Sequence, residues 1–307
     1  MKESILEADG YYEYRTDEAG QLTAVSLRTG EVVPTITRTV PSGTTFRTPD
    51  AQRAAWEARE RRREKYFSGK NENEGGEFYF IPSTENFEGL LPASAARMVY
   101  LCTFMNYKGQ LMLSERTPMK SGDLEEVLGL SYEQAWRFRR EATKTGYLLE
   151  DGEGNLFPDR KRFQRGKLTK SGRWYRIYCK GVQSLYRAAD SGQHKQIGTL
   201  FSLLPFVNVE HNVLCYNPEE KNFDKIRFMN LRQFCEAIHY NVNGLKRKLR
   251  ELREITFDVD GHKERFYSVV GDGLNLMESH LYVNPDILYS GSNAEGVRLR
   301  GDYKVTD

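Results

Sequence analysis

The chain has 307 residues, 39% hydrophobic and 29% charged, with a net charge of +2. That is long enough for two domains, and any affinity for nucleic acid must come from local clustering of charge, since the total is near zero. No apolar run approaches the roughly 18–20 residues of a membrane span, the N-terminal "MKESILEADG" lacks the apolar stretch of a secretory leader, and Cys102, Cys179, Cys215 and Cys235 are widely spaced, as reduced thiols of a cytoplasmic protein would be.

In chain order, Tyr11–Pro34 alternates polar with β-branched or aromatic residues around "EAGQ", which predicts a hairpin or small meander. Ala51–Phe67 ("AQRAAWEARERRREKYF") predicts a helix with a thin apolar stripe and a charged surface. Ser68–Glu77 ("SGKNENEGGE") has linker composition. Ala93–Tyr107 is apolar enough for a buried helix. "SGDLEEVLGLSYEQAWRFRREATKTGYLLE" then reads as helix, turn and helix, with Ser121 as an N-cap and Gly129 in the turn. "YLLEDGEGNLFPDRKRFQRGKL" follows as a hairpin around "DGEGN".

The same order recurs further on. "KQIGTLFSLLPFVN" is an apolar helix and "NVLCYNPEEKNFDKIRFM" is extended. "FMNLRQFCEAIHYNVNGLKRKLREL" (Phe228–Leu252) is helix–turn–helix, and "ITFDVDGHKERFYSVV" is a hairpin turning at "DGHK". The expected architecture is therefore α+β. Two tandem winged helix–turn–helix domains follow a small β-rich N-terminal segment and a charged helix. The expected boundaries are 1–47 for the β segment, 48–77 for the charged helix and linker, 78–170 for the first winged helix, 171–194 for a basic connector, and 195–307 for the second winged helix with its tail.

The second helix pair carries the DNA-reading signature. Phe234, Ile238 and Tyr240 would face inward, with Cys235 at the small, closely packed position. Leu245, Leu249 and Leu252 fall on one helical stripe, so Asn243, Lys246, Arg247 and Arg250 point away from it. Asn241 and Asn243 sit at the N-terminal end, where such helices address base edges. A solvated helix with Glu251 and Glu254 pairing its cations is the plainer alternative. In the first pair Glu133, Trp136, Arg137 and Arg140 hold the matching positions, and Ala135, Phe138 and Ala142 would face inward. Glu125 stands there in place of a small residue and Arg139 in place of a leucine. Packing into a domain interface is the favoured reading of Trp136, with stacking on a sugar or base as the other.

Asp159–Gly181 is dense in cations, with Phe163, Trp174, Tyr175 and Tyr178 interleaved. A wing bearing Arg160, Lys161, Arg162, Arg165 and Lys167 would lie along phosphates or enter a minor groove. With Gln134, Lys144 and Lys263 added, these residues and the two recognition-helix sets make up the expected DNA contacts.

Nothing nominates a catalytic residue. There is no Gly-Lys-Ser/Thr phosphate loop, no His-hydrophobic-His nuclease motif, and no Ser-x-x-Lys to accompany the two "KSG" tripeptides. His211 with Cys215, and Cys235 with His239, have i, i+4 spacing that two zinc ligands on a helix would share. The packing role of Cys235 and the turn position of His239 argue against it, so no metal and no cofactor is expected.

The segment "LRQFCEAIHYNVNGLKRKLREL", followed by a hairpin and "HLYVNPDILYSGS", resembles the winged-helix replication proteins of Gram-positive plasmids and phages over roughly residues 195–291. Asn284, Pro285, Tyr289 and Gly291 fit the ending of those proteins. The resemblance implies sequence-specific DNA binding in replication initiation or its control; the expected protein is a duplex-DNA binder of a mobile element and, with no catalytic motif, not an enzyme. Partners would be double-stranded DNA, a second copy of the chain, and host replication or transcription proteins, with no membrane. A phage or plasmid repressor, or a winged-helix adaptor between proteins, would use the same scaffold.

Overall fold

Short apolar stripes separated by turn residues give small sheets and short helices. A computed structural model describes residues 4–7, 10–16, 22–26, 32–33, 77–168, 172–190, 192–271 and 278–305. Among them the protein is mixed α and β, with small sheets and eight α-helices. The chain divides into two units, 1–66 and 67–307.

The first unit holds a four-stranded antiparallel meander in chain order: β1 (Ser4–Glu7), β2 (Gly10–Thr16), β3 (Leu22–Ser26) and β4 (Val32–Val33). Tyr12 stands opposite Ile5 and Ser26, and Tyr14 opposite Ala24. The alternation read from Tyr11 onward belongs to this sheet, which starts one strand earlier. The helix expected over Ala51–Phe67 and the linker expected over Ser68–Glu77 lie outside the described residues, Glu77 excepted.

The second unit is built around β5 (Phe78–Pro82), β8 (Trp174–Tyr178) and β13 (Leu288–Tyr289), with β8 in the middle. All five residues of β8 are buried. A strand paired on both edges and covered on both faces shows no alternation, which is why 171–194 read as a connector. That expectation is corrected: 174–178 is the central strand, and α4 (Cys179–Ala188) follows it directly. The interleaved aromatics Phe163, Trp174, Tyr175 and Tyr178 are core residues.

Two halves flank this sheet. The first contains α1 (Pro92–Cys102), which begins with proline where no backbone N–H is needed. It continues with α2 (Leu124–Leu128), α3 (Tyr132–Lys144) and a hairpin of β6 (Leu148–Glu150) and β7 (Leu156–Pro158). The second contains α5 (Gln193–Phe201), α6 (Leu231–Ala237) and α7 (Leu245–Arg253), then β9 (Thr256–Val259), β10 (His262–Arg265), β11 (Tyr267–Val270), β12 (His280–Val283), β13 and α8 (Ala294–Arg300).

The halves repeat each other in backbone hydrogen bonding. Leu111 N–H donates to Leu156 O at 3.0 Å and Met119 N–H to Leu111 O at 2.9 Å; Leu214 N–H donates to Leu281 O and Met229 N–H to Leu214 O, both at 2.9 Å. Each helix pair turns on a left-handed residue, Gly129 (φ 61°) or His239 (φ 53°). In each, the next N–H reaches back to close the first helix, Leu130 to Glu125 O at 3.0 Å and Tyr240 to Cys235 O at 2.8 Å. Met119 precedes Gly129 by as many residues as Met229 precedes His239, so Trp136 is the positional equivalent of Lys246.

One expectation changes here. Asp260 and Gly261 both have positive φ, as the tight turn of a two-residue hairpin requires, so β9 and β10 do pair around "DG". The ladder of the second half is closed by β11 and β12, however, because Leu214 and Asn230 pair with Leu281 and His280. The β9–β10 hairpin is an addition. It packs on α4, where Asp258 N–H donates to Ser184 Oγ at 2.9 Å, and it takes up the C-terminal segment through Glu264 and Lys304.

α1 and α5 cross tightly. A side chain at Gly198 would run into the Pro92 carbonyl. Buried residues from Tyr79 to Leu288 form one continuous cluster through both halves. Tyr100, Tyr186 and His194 stack in a column with ring separations of 4.0 and 4.1 Å.

Candidate nucleic-acid interface

The side chain of Asn241 accepts the Asn243 N–H at 2.9 Å and so starts the turn that leads into α7. Leu245 and Leu252 are buried and Leu249 half-buried, which fixes the rotation of the helix. Asn241, Asn243, Lys246, Arg247 and Arg250 are exposed, as the stripe predicts. Arg247 is held in place, donating to Tyr240 Oη at 3.2 Å with the Glu251 carboxylate 3.7 Å away. Lys248 is mostly buried, with its ammonium over the Tyr240 ring at 5.6 Å. Lys246 and Arg250 have no ion-pair partner among the described residues. Arg253 extends their row one turn further and is also exposed. Its i, i+7 and i, i+3 spacing from Lys246 and Arg250 is the sequence signal that marks it as part of the same face. The nine residues of α7 carry five cations and one acid, so the exposed face is strongly positive.

In the first half, Ser131 and Gln134 cap α3 reciprocally, and Ala135, Phe138 and Ala142 are buried as expected. Gln134, Trp136, Arg137, Arg140 and Lys144 are exposed. Their cations are largely engaged. Arg137 pairs with Glu133, Arg139 with Glu150 at 2.6 Å, and Arg140 lies over the Trp136 ring at 5.3 Å. The interface packing favoured for Trp136 is corrected: the side chain is 47% exposed, because it projects from the outer face of α3.

The basic run after β7 does not form a hairpin tip. The β6–β7 turn carries Asp151 and Glu153 instead, and Asp151 accepts the N–H groups of Glu153 and Asn155. Arg162 and Arg165 are withdrawn into the fold, which corrects their assignment to a wing. Glu85 is buried, accepting from Phe87 N–H at 2.7 Å, Tyr147 Oη at 2.8 Å and Arg162 Nη1 at 2.8 Å. Arg162 neutralises that carboxylate and stacks on Tyr147 at 4.2 Å. Arg165 donates to Met105 O at 2.7 Å and pairs with Glu77. Arg160, Lys161 and Lys167 remain exposed; Arg160 and Lys167 line a groove of about 100 Å³ beside Tyr107. Lys263 is exposed on the added β9–β10 hairpin, away from the ladder of its half.

The His/Cys pairs are not assembled for a metal. α6 ends at Ala237, so Cys235 and His239 do not share a helical face. Cys235 is fully buried, and burial pushes its thiol above the ordinary value, away from the thiolate a metal binds. His211 is used by Lys221 O and Arg300. No group of three or more metal-ligating side chains occurs among the described residues, and no helix among them is long and apolar enough to cross a membrane.

Compared with protein-family models, curated proteins and solved structures, the chain matches none.

Proposed function

We propose that the second unit is a tandem winged-helix protein that binds double-stranded DNA sequence-specifically, with α7 as its principal recognition helix. The observation that carries this reading is the exposed row Lys246, Arg250 and Arg253 on a helix whose other face is locked by Leu245 and Leu252. Cations left without internal partners on a helix packed by its leucine face are available to phosphates and base edges. Asn241 and Asn243 stand at the end of the helix from which base edges are addressed. The duplicated ladder and left-handed turn support reading each half as a helix pair closed by a hairpin. The sequence resemblance over 195–291 extends the proposal to replication initiation or its control on a mobile element. Selection of bound duplexes from a random pool tests it. Enrichment of one motif, lost in Lys246→Ala/Arg250→Ala, is the expected result; a pool that stays random through successive rounds would overturn sequence-specific recognition.

A further inference from the structure

The two recognition-type helices are equivalent in position and opposite in chemistry. Where α7 carries Lys246, α3 carries Trp136, nearly half exposed, and Tyr132 stands one turn earlier on the same face at 70% exposure. Three of the four cations of α3 are engaged: Arg137 with Glu133, Arg139 with Glu150, and Arg140 over the indole ring. The neighbouring hairpin tip carries Asp151 and Glu153. A helix so arranged has fewer free cations than α7 for the closely spaced phosphates of a duplex.

What α3 does offer is an open pocket of about 400 Å³ between the helix and β6, lined by Trp136, Arg139, Arg140, Thr143, Lys144 and Glu150. A flat indole beside Arg140 and Lys144, with Arg139 already paired to Glu150, fits one chemistry well. Bases stack on aromatic faces whatever their identity, and neighbouring cations hold the phosphates on either side. Arg140 lies over one face of the ring, 5.3 Å from its centroid, so a stacking base would displace it toward the adjoining phosphate, and Lys144 has no ion-pair partner among the described residues. A duplex cannot use such a site, since its bases are already stacked on one another. A dry protein anchor would be ringed by apolar side chains, whereas this ring is charged.

We infer that the first half binds an unstacked base of single-stranded DNA, with Trp136 as the stacking platform and Arg140 and Lys144 on the flanking phosphates. This rests on the nucleic-acid reading above but on a different helix, so the two can fail separately.

The full chain would be titrated into a labelled oligothymidylate, a wholly abasic strand of the same length, and a random duplex. Wild type should prefer oligothymidylate to the abasic strand. Trp136→Ala should lose about 5- to 150-fold on oligothymidylate, the range of a single base–aromatic stack, and change little on the abasic strand or the duplex. Trp136→Phe should recover most of the loss, which separates stacking from misfolding, and thermal unfolding of each variant checks the fold. Equal wild-type binding to the abasic strand and oligothymidylate would overturn the inference. So would Trp136→Ala binding oligothymidylate like wild type, above all if that variant also sedimented differently, because Trp136 would then be a protein contact. Duplex binding whose salt slope is unchanged in Arg247→Ala/Arg250→Ala would overturn the α7 reading alone.

Discussion

Replacing Arg162 with alanine should damage the fold and leave DNA binding intact. Glu85 is 5% exposed, and its carboxylate is neutralised by Arg162 Nη1 at 2.8 Å. Removing one partner of a buried ion pair costs about 3–5 kcal/mol, mostly through the charge left behind. The Arg162 side chain is 34% exposed, so water replaces part of the interaction, and Tyr147 Oη and Phe87 N–H still donate to Glu85; about 2–3 kcal/mol is the discounted figure. Loss of the cation over the Tyr147 ring adds about 0.5–1 kcal/mol. For a unit of this size a total near 3 kcal/mol lowers the thermal midpoint by about 6–12 °C. Lys161→Ala, one residue away and exposed, should stay within about 0.5 kcal/mol of wild type. The assay is urea and thermal unfolding followed by circular dichroism, with duplex binding measured on the same samples. Glu85→Gln/Arg162→Ala should be more stable than Arg162→Ala, because the stranded charge is gone while the hydrogen bonds are kept. The reasoning fails if Arg162→Ala unfolds like Lys161→Ala, or if the double variant recovers nothing.

Gly129→Ala should cost about 1–2 kcal/mol, because an alanine there is held at left-handed φ, and His239→Gly at the equivalent turn should gain about 0.5–1 kcal/mol; denaturant midpoints decide both, and the second prediction fails if His239→Gly destabilises. Gly198→Ala would drive the Pro92 carbonyl out of the α1–α5 crossing and should lower stability by more than about 3 kcal/mol. Unfolding near the wild-type midpoint would contradict that. Burial lowers the affinity of the His194 imidazole for a proton, reinforced by Arg97 and opposed by the Tyr186 carbonyl and Asp190, and burial does the same to His280. The folded state therefore binds fewer protons than the unfolded one below the ordinary histidine value of about 6.5. Stability should fall as pH drops through that value, and His194→Phe should flatten the fall. A wild-type urea midpoint that is constant from about pH 7.5 to about pH 5.5 would refute this.

α7 was the most legible element, because Leu245, Leu249 and Leu252 impose a helical period that dictates where Lys246 and Arg250 point. The meander was legible from its alternation, and the "DG" turn from its backbone requirement. The role of β8 was not, since a strand buried on both faces looks like an unpatterned aromatic-basic run. Arg162 was misread for a related reason: its partner Glu85 is 77 residues away in the chain, and nothing local marks the pairing. The choice of closing hairpin in the second half was equally hidden, because it depends on Asn230 meeting His280. The repeat itself showed in element order, but the left-handed turn was plain only at Gly129, histidine being an uncommon occupant of that backbone region.

The most direct test of the central claim is a salt series of random-duplex binding by fluorescence anisotropy, for wild type and Arg247→Ala/Arg250→Ala. The account predicts a steep log–log salt slope for wild type and a slope lower by about 0.9 for each phosphate contact the variant loses. Identical slopes for the two proteins, or no salt-dependent binding by wild type at low ionic strength, would contradict it.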